Sequence, residues 1–139
     1  AAAAALRAEY TLPGISQSVI ITRTAGRTPV PDKQTIVDYA QHGTTMVVFL
    51  STGLVEKLAI QLVEGGYTAQ TPAAVVYKAS WPEERVYRCT VGTLAETVHA
   101  HHLKNTALIL VGSFLSSAYE RSKLYDPEFT HGFRKGHKE

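Results

Sequence analysis

The stretch from residue 44 to residue 90 limits the possible folds most, because it predicts a strand, a helix and two further strands in close succession. Its first part, MVVFL at residues 46–50, is a short apolar run that is typical of a buried strand. Ser51 or Thr52 then supplies a side-chain oxygen that can cap a helix. Leucine, valine and alanine recur along residues 54–63 at helical spacing, which predicts a helix with one apolar face.

A tight pair of strands follows this helix. Gly65 and Gly66 are predicted to end the helix, because glycine adopts the left-handed backbone without strain. Residues 73–77 and 85–90 are each typical of a strand, and the turn between them is too short for a parallel crossover, so they form a hairpin. Loops follow the strands at 46–50 and 73–77, and ligands usually bind at such strand ends in α/β folds.

The rest of the chain completes an α/β pattern. Residues 18–23, SVIITR, and residues 107–111, ALILV, are predicted strands. Three of the helices predicted outside residues 44–90 cover residues 1–9, residues 33–42 capped by Asp32, and residues 94–102 capped by Thr93. Five strands with helices between most of them predict an α/β fold built on a mixed five-stranded sheet flanked by helices.

The length of 139 residues fits one domain, which we assign to residues 11–125. Residues 1–10 begin with an alanine run and no initiator methionine, so we interpret them as the remnant of an interdomain helix in a fragment of a longer chain. Residues 118–124 are predicted to be helical. Residues 126–139 are predicted to be an irregular tail, because Gly132 and Gly136 disfavour regular secondary structure.

Composition excludes several classes of function. The net charge of +2 gives no nucleic-acid signature. No apolar run approaches the roughly 20 residues that a transmembrane helix needs. The single cysteine, Cys89, cannot form an internal disulfide, which fits a cytoplasmic protein. We therefore expect no nucleic-acid partner, no membrane partner and a cytoplasmic location.

Two groups of side chains are candidates for binding chemistry. Arg23 and Arg27 flank a strand end on a loop rich in glycine and proline, where guanidinium groups either bind carboxylates or are merely solvated. His99, His101 and His102 cluster near a helix end. Spacing allows His99 and His102 to share a metal, but cationic histidines at a helix C-terminus also complement its dipole. The second interpretation is favoured, so no metal site is predicted.

No catalytic side chain is predicted. The tail carries residues from which an acid–base site could be composed, but a solvated tail is the favoured interpretation. These residues are Asp126, Glu128, His131 and Arg134. The sequence has no phosphate-binding loop, no GxGxxG, no GxSxG and no CxxC motif.

Five segments of the sequence resemble, in chain order, the C-terminal half of the tetrapyrrole methylases: TLPGISQSVIITRTAGRTPVP, TTMVVFLS, TPAAVVYKASWPEERVYRCTV, TALILVG and RSKLYDPEFTHGFR. TRTAGRTPVP and SKLYDPEFTHGFR are similar to the branch of the family that acts on precorrin-4. The resemblance implies a two-domain enzyme that uses S-adenosylmethionine to methylate precorrin-4, or cobalt-precorrin-4, at carbon 11 in cobalamin biosynthesis. The family's N-terminal half, with its Gly-Pro-Gly-Asp-Pro loop, has no counterpart here, so this chain is expected to be inactive alone.

The resemblance also assigns residues. Leu50, where the family often has methionine, and Ala79, where it often has glycine, are implied to contact the cofactor. The macrocycle carries carboxylates, so Arg23 and Arg27 become substrate-binding candidates. A homodimer is implied as well. Two alternatives stay open: another tetrapyrrole methylase that acts on uroporphyrinogen-III or a different precorrin, and a non-catalytic dimerisation module.

Overall fold

A mixed five-stranded β-sheet forms the centre of the structure, a computed structural model that describes residues 1–116 and Thr130. Its strands are, in chain order, β1 (Val19–Arg23), β2 (Thr45–Phe49), β3 (Pro72–Tyr77), β4 (Arg85–Thr90) and β5 (Ala107–Val111). They lie in the order β1-β2-β5-β3-β4. β1 and β2 are parallel, β5 is antiparallel to both of its neighbours, and β3 and β4 form an antiparallel hairpin. The predicted mixed sheet and hairpin are confirmed.

In the part of the chain that the structure describes, four α-helices accompany the sheet: α1 (Ala2–Leu6), α2 (Ile36–Ala40), α3 (Val55–Glu64) and α4 (Leu94–Ala100). Within the described residues, no helix is long and apolar enough to cross a membrane. The predicted helix over residues 1–9 is wrong in length. α1 ends at Leu6 because Arg7 adopts a left-handed backbone with φ of 50°.

The start of α2 shows that the prediction of Asp32 as a cap for residues 33–42 is wrong. The helix has only five residues and begins after Thr35, whose hydroxyl accepts a hydrogen bond of 3.1 Å from the N–H of Asp38. The Asp38 carboxylate accepts one of 3.2 Å from the N–H of Thr35 in return. This reciprocal capping box satisfies two backbone donors that the helix leaves free.

The predicted cap of α3 by Ser51 or Thr52 is also wrong. A short 3₁₀ turn, Thr52–Leu54, precedes α3, and neither side chain caps that turn or the helix within the described residues. The Ser51 hydroxyl instead accepts a bond of 2.9 Å from the N–H of Thr24 and donates one of 2.7 Å to the carbonyl of Phe49. Ser51 therefore ties the end of β1 to the end of β2.

α4 also differs from the prediction, both in the cap at its start and in the position of its end. Thr93 precedes the helix but makes no side-chain bond to its free N–H groups within the described residues. Its hydroxyl accepts a bond of 3.0 Å from the N–H of Thr90. The helix ends at Ala100, two residues before its predicted end.

Alternate strand residues pack into two cores, one on each face of the sheet. α2, α3 and α4 cover one face, in a core that includes Ile36, Met46, Val48, Val55, Leu58, Leu62, Val75, Leu94 and Ile109. α1 packs on the other face in a smaller core, together with Val47, Ala74, Val76 and Leu110. This second face is only partly covered, because Ile21 is 66% exposed and Phe49 is 44% exposed.

The direction of β5 decides which loops meet. Since β5 is antiparallel to both β2 and β3, those two strands run parallel to each other. The carboxyl ends of β1, β2 and β3 and the amino end of β5 therefore share one edge of the sheet. The loops after β2 and β3 lie there beside the loop that leads into β5.

Gly65 allows α2 and α3 to approach closely. A Cβ atom at Gly65 would lie 2.3 Å from the Cβ of Ala40 and 2.6 Å from the carbonyl oxygen of Val37. The predicted left-handed backbone is wrong for Gly65, which has φ of −80°, whereas Gly66 has φ of 117°. Space, rather than backbone freedom, requires glycine at position 65.

Some predictions fall on residues outside the described part of the chain. They are the helix over residues 118–124, most of the tail at 126–139, and the candidate set Asp126, Glu128, His131 and Arg134. The division of the chain at residues 10 and 125 stays a prediction.

Candidate functional site

A cavity of about 680 Å³ opens where the strand ends meet, on the sheet face that α1 partly covers. Its walls are largely apolar, and its volume suits a small-molecule ligand. The residues that line it are Ala1, Ala2, Tyr10, Ile21, Val47, Phe49, Leu50, Thr52, Gly53, Val76, Ala79, Lys104, Asn105, Thr106, Ala107 and Leu108.

Leu50 and Ala79 both line this cavity. Leu50 follows β2 directly and is 84% exposed, so its side chain is available to a ligand. Ala79 lies just past the end of β3 and is half-buried. The fold thus brings together the two residues predicted to contact a cofactor, and that role stays a prediction.

Four residues at this edge have a left-handed backbone although none is glycine. They are Leu50 with φ of 51°, Lys78 with φ of 48°, Ser80 with φ of 70° and Thr106 with φ of 55°. The N–H of Lys78 donates a hydrogen bond of 2.8 Å to the carbonyl of Thr106, which fixes the end of β3 against the start of β5. Such backbone is costly for a β-branched residue like threonine, and strained positions concentrate at functional sites.

Sequence reasoning missed the rim of the cavity. Lys104 and Asn105 line the cavity from the loop before β5, and both are exposed. The buried Thr52 hydroxyl donates a hydrogen bond of 2.8 Å to the backbone carbonyl of Lys104. No local pattern indicates this rim, because residues that precede a strand reach this edge only if the strand is antiparallel.

Tyr10 is a second lining residue that the sequence did not indicate. Its ring packs edge-on against Phe114, with ring centroids 5.6 Å apart. Burial raises the pKa of the Tyr10 phenol, so the hydroxyl stays protonated well above neutral pH.

Arg23 and Arg27 are not among the residues that line the cavity. Arg23 ends β1, and its guanidinium donates hydrogen bonds to the carbonyls of Thr28 at 3.0 Å and Pro29 at 2.8 Å. Arg27 is exposed on the loop, and its guanidinium has no hydrogen-bond partner among residues 1–116. Their predicted role in substrate binding stays a prediction.

The histidine cluster is dispersed in the structure. His99 Nε2 lies 2.6 Å from Glu56 Oε1, so it links α4 to α3. The His101 ring stacks on Tyr87, with centroids 4.0 Å apart. Within the described part of the chain, no group of three or more metal-ligating side chains occurs.

Cys89 lies half-buried in β4, against the core on the helix-covered face. Burial raises the pKa of its thiol. A thiol held in the protonated form is a poor nucleophile.

An apolar, ligand-sized cavity where strand ends meet in an α/β domain is typical of the class of small-molecule-binding domains. The family comparison is more specific, because the model of the Tetrapyrrole (Corrin/Porphyrin) Methylases matches residues 1–95. The chain belongs to the tetrapyrrole methylase family.

Two relatives match almost the whole chain. One, named cobalt-precorrin-4 C(11)-methyltransferase, is from Methanocaldococcus jannaschii and is 50% identical over 139 residues, which cover 99% of this chain and 54% of the relative. A protein of the same name from Priestia megaterium is 45% identical over 140 residues, with coverage of 98% and 54%. The chain therefore spans about half the length of the curated relatives it matches.

Solved structures agree with the fold. The X-ray structure of a cobalt precorrin-4 methyltransferase, described as a cobalamin biosynthetic enzyme, matches with a TM-score of 0.81 at 42% identity, over 83% of this chain and 48% of that one. A uroporphyrin-III C-methyltransferase from Thermus thermophilus, complexed with S-adenosyl homocysteine, matches with a TM-score of 0.66 at 22% identity, over 82% and 50%. The second match supports the fold alone.

Proposed function

We propose that this chain is the C-terminal half of an S-adenosylmethionine-dependent methyltransferase that methylates precorrin-4 or cobalt-precorrin-4 at carbon 11 in cobalamin biosynthesis. One observation carries the proposal. The apolar cavity of about 680 Å³ is lined by both Leu50 and Ala79, in a chain that matches a cobalt-precorrin-4 C(11)-methyltransferase over 99% of its length.

The residues present fit a nucleoside cofactor. Val47, Val76 and Leu108 supply an apolar wall on which a flat heterocycle can pack. The methyl side chain of Ala79 is small enough for a ligand to approach the main chain at the end of β3 closely. The exposed Leu50 side chain supplies a second apolar contact.

The chemistry places few demands on side chains. The bound cofactor supplies an electrophilic methyl group on sulfur, whose leaving group is a neutral thioether. The electron-rich ring carbon of the substrate is itself the nucleophile. This chain's residues therefore act by holding donor and acceptor in line and by excluding water.

The test is calorimetric titration of the complete gene product with S-adenosylhomocysteine. We expect the wild-type protein to bind, and Ala79→Leu, which places a bulky side chain in the cavity, to bind at least about tenfold more weakly. Ala79→Gly is the matched control and should retain binding. No binding by the wild-type protein would reject the proposal.

The 139-residue chain by itself is proposed to have no methyltransferase activity, because it supplies only one wall of the cofactor cleft. Comparing methyl transfer by this chain with that by the complete gene product tests this point. Turnover by the isolated chain would contradict it.

A cytoplasmic location and a homodimeric state belong to the same proposal. The homodimer follows from the family resemblance, and the cytoplasmic location rests on the single cysteine Cys89, which fits a reducing compartment. The expected partner is the acidic macrocycle, and neither nucleic acid nor a membrane is part of the proposal. Sedimentation of the complete gene product tests the dimer.

A further inference from the structure

We propose that Lys104 binds a carboxylate of the ligand that occupies the cavity. This inference rests on the proposed function, in which both the cofactor and the macrocycle carry carboxylates. It adds a binding residue that the sequence did not indicate.

Charge singles out Lys104. Among the residues that line the cavity, Lys104 is the one with an ionised side chain, and none is an aspartate or a glutamate. A side-chain ammonium beside an apolar cavity attracts anions, and nearby low-dielectric walls strengthen that attraction.

The Lys104 side chain is also unengaged. It is exposed, and its ammonium has no hydrogen bond or ion pair among residues 1–116. Arg23 and Lys78, two other cations near this edge, are already engaged. Arg23 donates to two loop carbonyls, and the Lys78 ammonium lies 3.5 Å from Glu83 and 5.3 Å from the centroid of the Trp81 ring.

The backbone around Lys104 is held in place. Thr52 bonds to the carbonyl of Lys104, and the carbonyl of Thr106 accepts from Lys78, so both ends of the rim are fixed to neighbouring strands. Asn105 lies beside Lys104 on the cavity and can donate a second hydrogen bond to the same anion. Only the flexible lysine side chain has to be ordered when a carboxylate binds.

The experiment compares four forms of the complete gene product: wild type, Lys104→Met, Lys104→Arg and Lys33→Met. Lys33 is exposed and lies away from the cavity lining, so Lys33→Met removes the same charge elsewhere and is the matched control. Each form is titrated with S-adenosylhomocysteine, with methylthioadenosine, which lacks the amino-acid carboxylate, and with uroporphyrin III.

Lys104→Met should weaken binding of at least one carboxylate ligand about tenfold, while Lys104→Arg and Lys33→Met stay near the wild-type affinity. A loss for S-adenosylhomocysteine but not for methylthioadenosine identifies the cofactor's carboxylate as the partner. A loss for uroporphyrin III identifies the macrocycle's carboxylates.

Wild-type affinity of Lys104→Met for both carboxylate ligands would overturn the inference and leave the proposed function intact. A wild-type protein that binds neither ligand would reject the proposed function, and this inference with it. Thermal unfolding of each variant, monitored by circular dichroism, separates lost binding from lost folding.

Discussion

The Thr52 hydroxyl and the Lys104 carbonyl, 52 positions apart in the chain, are joined by a hydrogen bond of 2.8 Å. Thr52 follows β2 and is buried, whereas Lys104 lies in the loop that enters β5. The bond therefore fixes two loops of the cavity edge to each other.

Replacing Thr52 by valine removes the donor but keeps the shape of the side chain. The carbonyl of Lys104 then loses its partner, so we expect the free energy of unfolding to fall by about 1–2 kcal/mol and the affinity for S-adenosylhomocysteine to fall with it. Urea denaturation and calorimetry measure the two effects. Thr52→Ser keeps the hydroxyl and should behave as wild type. Equal stability of Thr52→Val and Thr52→Ser would contradict this role.

Substitution of Leu50 by glycine should weaken ligand binding without lowering the stability of the fold. Leu50→Gly relieves a left-handed backbone that costs about 1–2 kcal/mol in other residues, while the entropy cost of glycine is about 0.5–1 kcal/mol. The side chain is 84% exposed, so few packing contacts are lost. The free energy of unfolding should therefore stay constant or rise by up to about 1.5 kcal/mol. Binding of S-adenosylhomocysteine should weaken.

Leu50→Ala is the matched variant, because it loses the same contact but keeps the strained backbone. It should bind as weakly as Leu50→Gly and be the less stable of the two in urea denaturation. If both variants keep wild-type affinity, Leu50 does not contact the ligand.

Arg23 and Arg27 should respond differently to truncation. Arg23→Ala removes two hydrogen bonds to the loop, at Thr28 and Pro29, and should lower the free energy of unfolding by about 1 kcal/mol. Arg27→Ala should change it by less than about 0.5 kcal/mol, because the side chain is exposed.

Titration with uroporphyrin III then tests the substrate role. An Arg27 that binds a carboxylate gives weaker porphyrin binding in Arg27→Ala without loss of stability. Unchanged affinity removes Arg27 from the substrate-binding candidates.

The raised pKa of Tyr67 predicts that the folded protein loses stability at alkaline pH. Its buried hydroxyl donates to the carbonyl of Thr44, and burial raises the pKa of Tyr67 from 10.0 to about 12. The folded state thus favours the protonated phenol, so this contribution is complete below the unfolded pKa. It is lost as the pH rises from about 10 towards about 12. Tyr67→Phe should show a flatter fall in unfolding free energy over that range, and identical slopes would refute the prediction.

Gly65→Ala tests the contact between α2 and α3. The added methyl group would overlap Ala40 and the carbonyl of Val37, so the free energy of unfolding should fall by about 1–3 kcal/mol. Gly53→Ala is a suitable control, because a Cβ at Gly53 meets nothing within 4 Å. Comparable denaturation midpoints for the two variants would argue against the close approach.

Most of the strands were predictable because short apolar or β-branched runs mark them in the sequence. β4 and β5 have the predicted bounds, and the hairpin follows from the short turn between β3 and β4. Helix starts were harder, because several threonine and serine side chains compete for the same donors. Thr35 rather than Asp32 caps α2, and Ser51 bonds to the end of β1 instead of capping a helix.

The candidate site was half predictable. Leu50 directly follows β2 and Ala79 lies two residues past the end of β3, so local sequence places them at an edge of the sheet. Lys104 precedes a strand and reaches the same edge only because β5 is inserted antiparallel between β2 and β3. Strand order is a long-range property that no local pattern encodes. The guanidinium of Arg23 likewise could not be assigned to the loop carbonyls before the path of that loop was known.

The position of β5 in the sheet also matters while the chain is being synthesised. β5 is the final strand of the described sheet to leave the ribosome, yet it is the central one, bonded to β2 on one side and to β3 on the other. Until residue 111 has emerged, the β1–β2 pair and the β3–β4 hairpin each present an unpaired edge. The free backbone N–H and C=O groups of such edges can form hydrogen bonds with strands of other chains. A nascent chain stalled before β5 is therefore the form most in need of a chaperone.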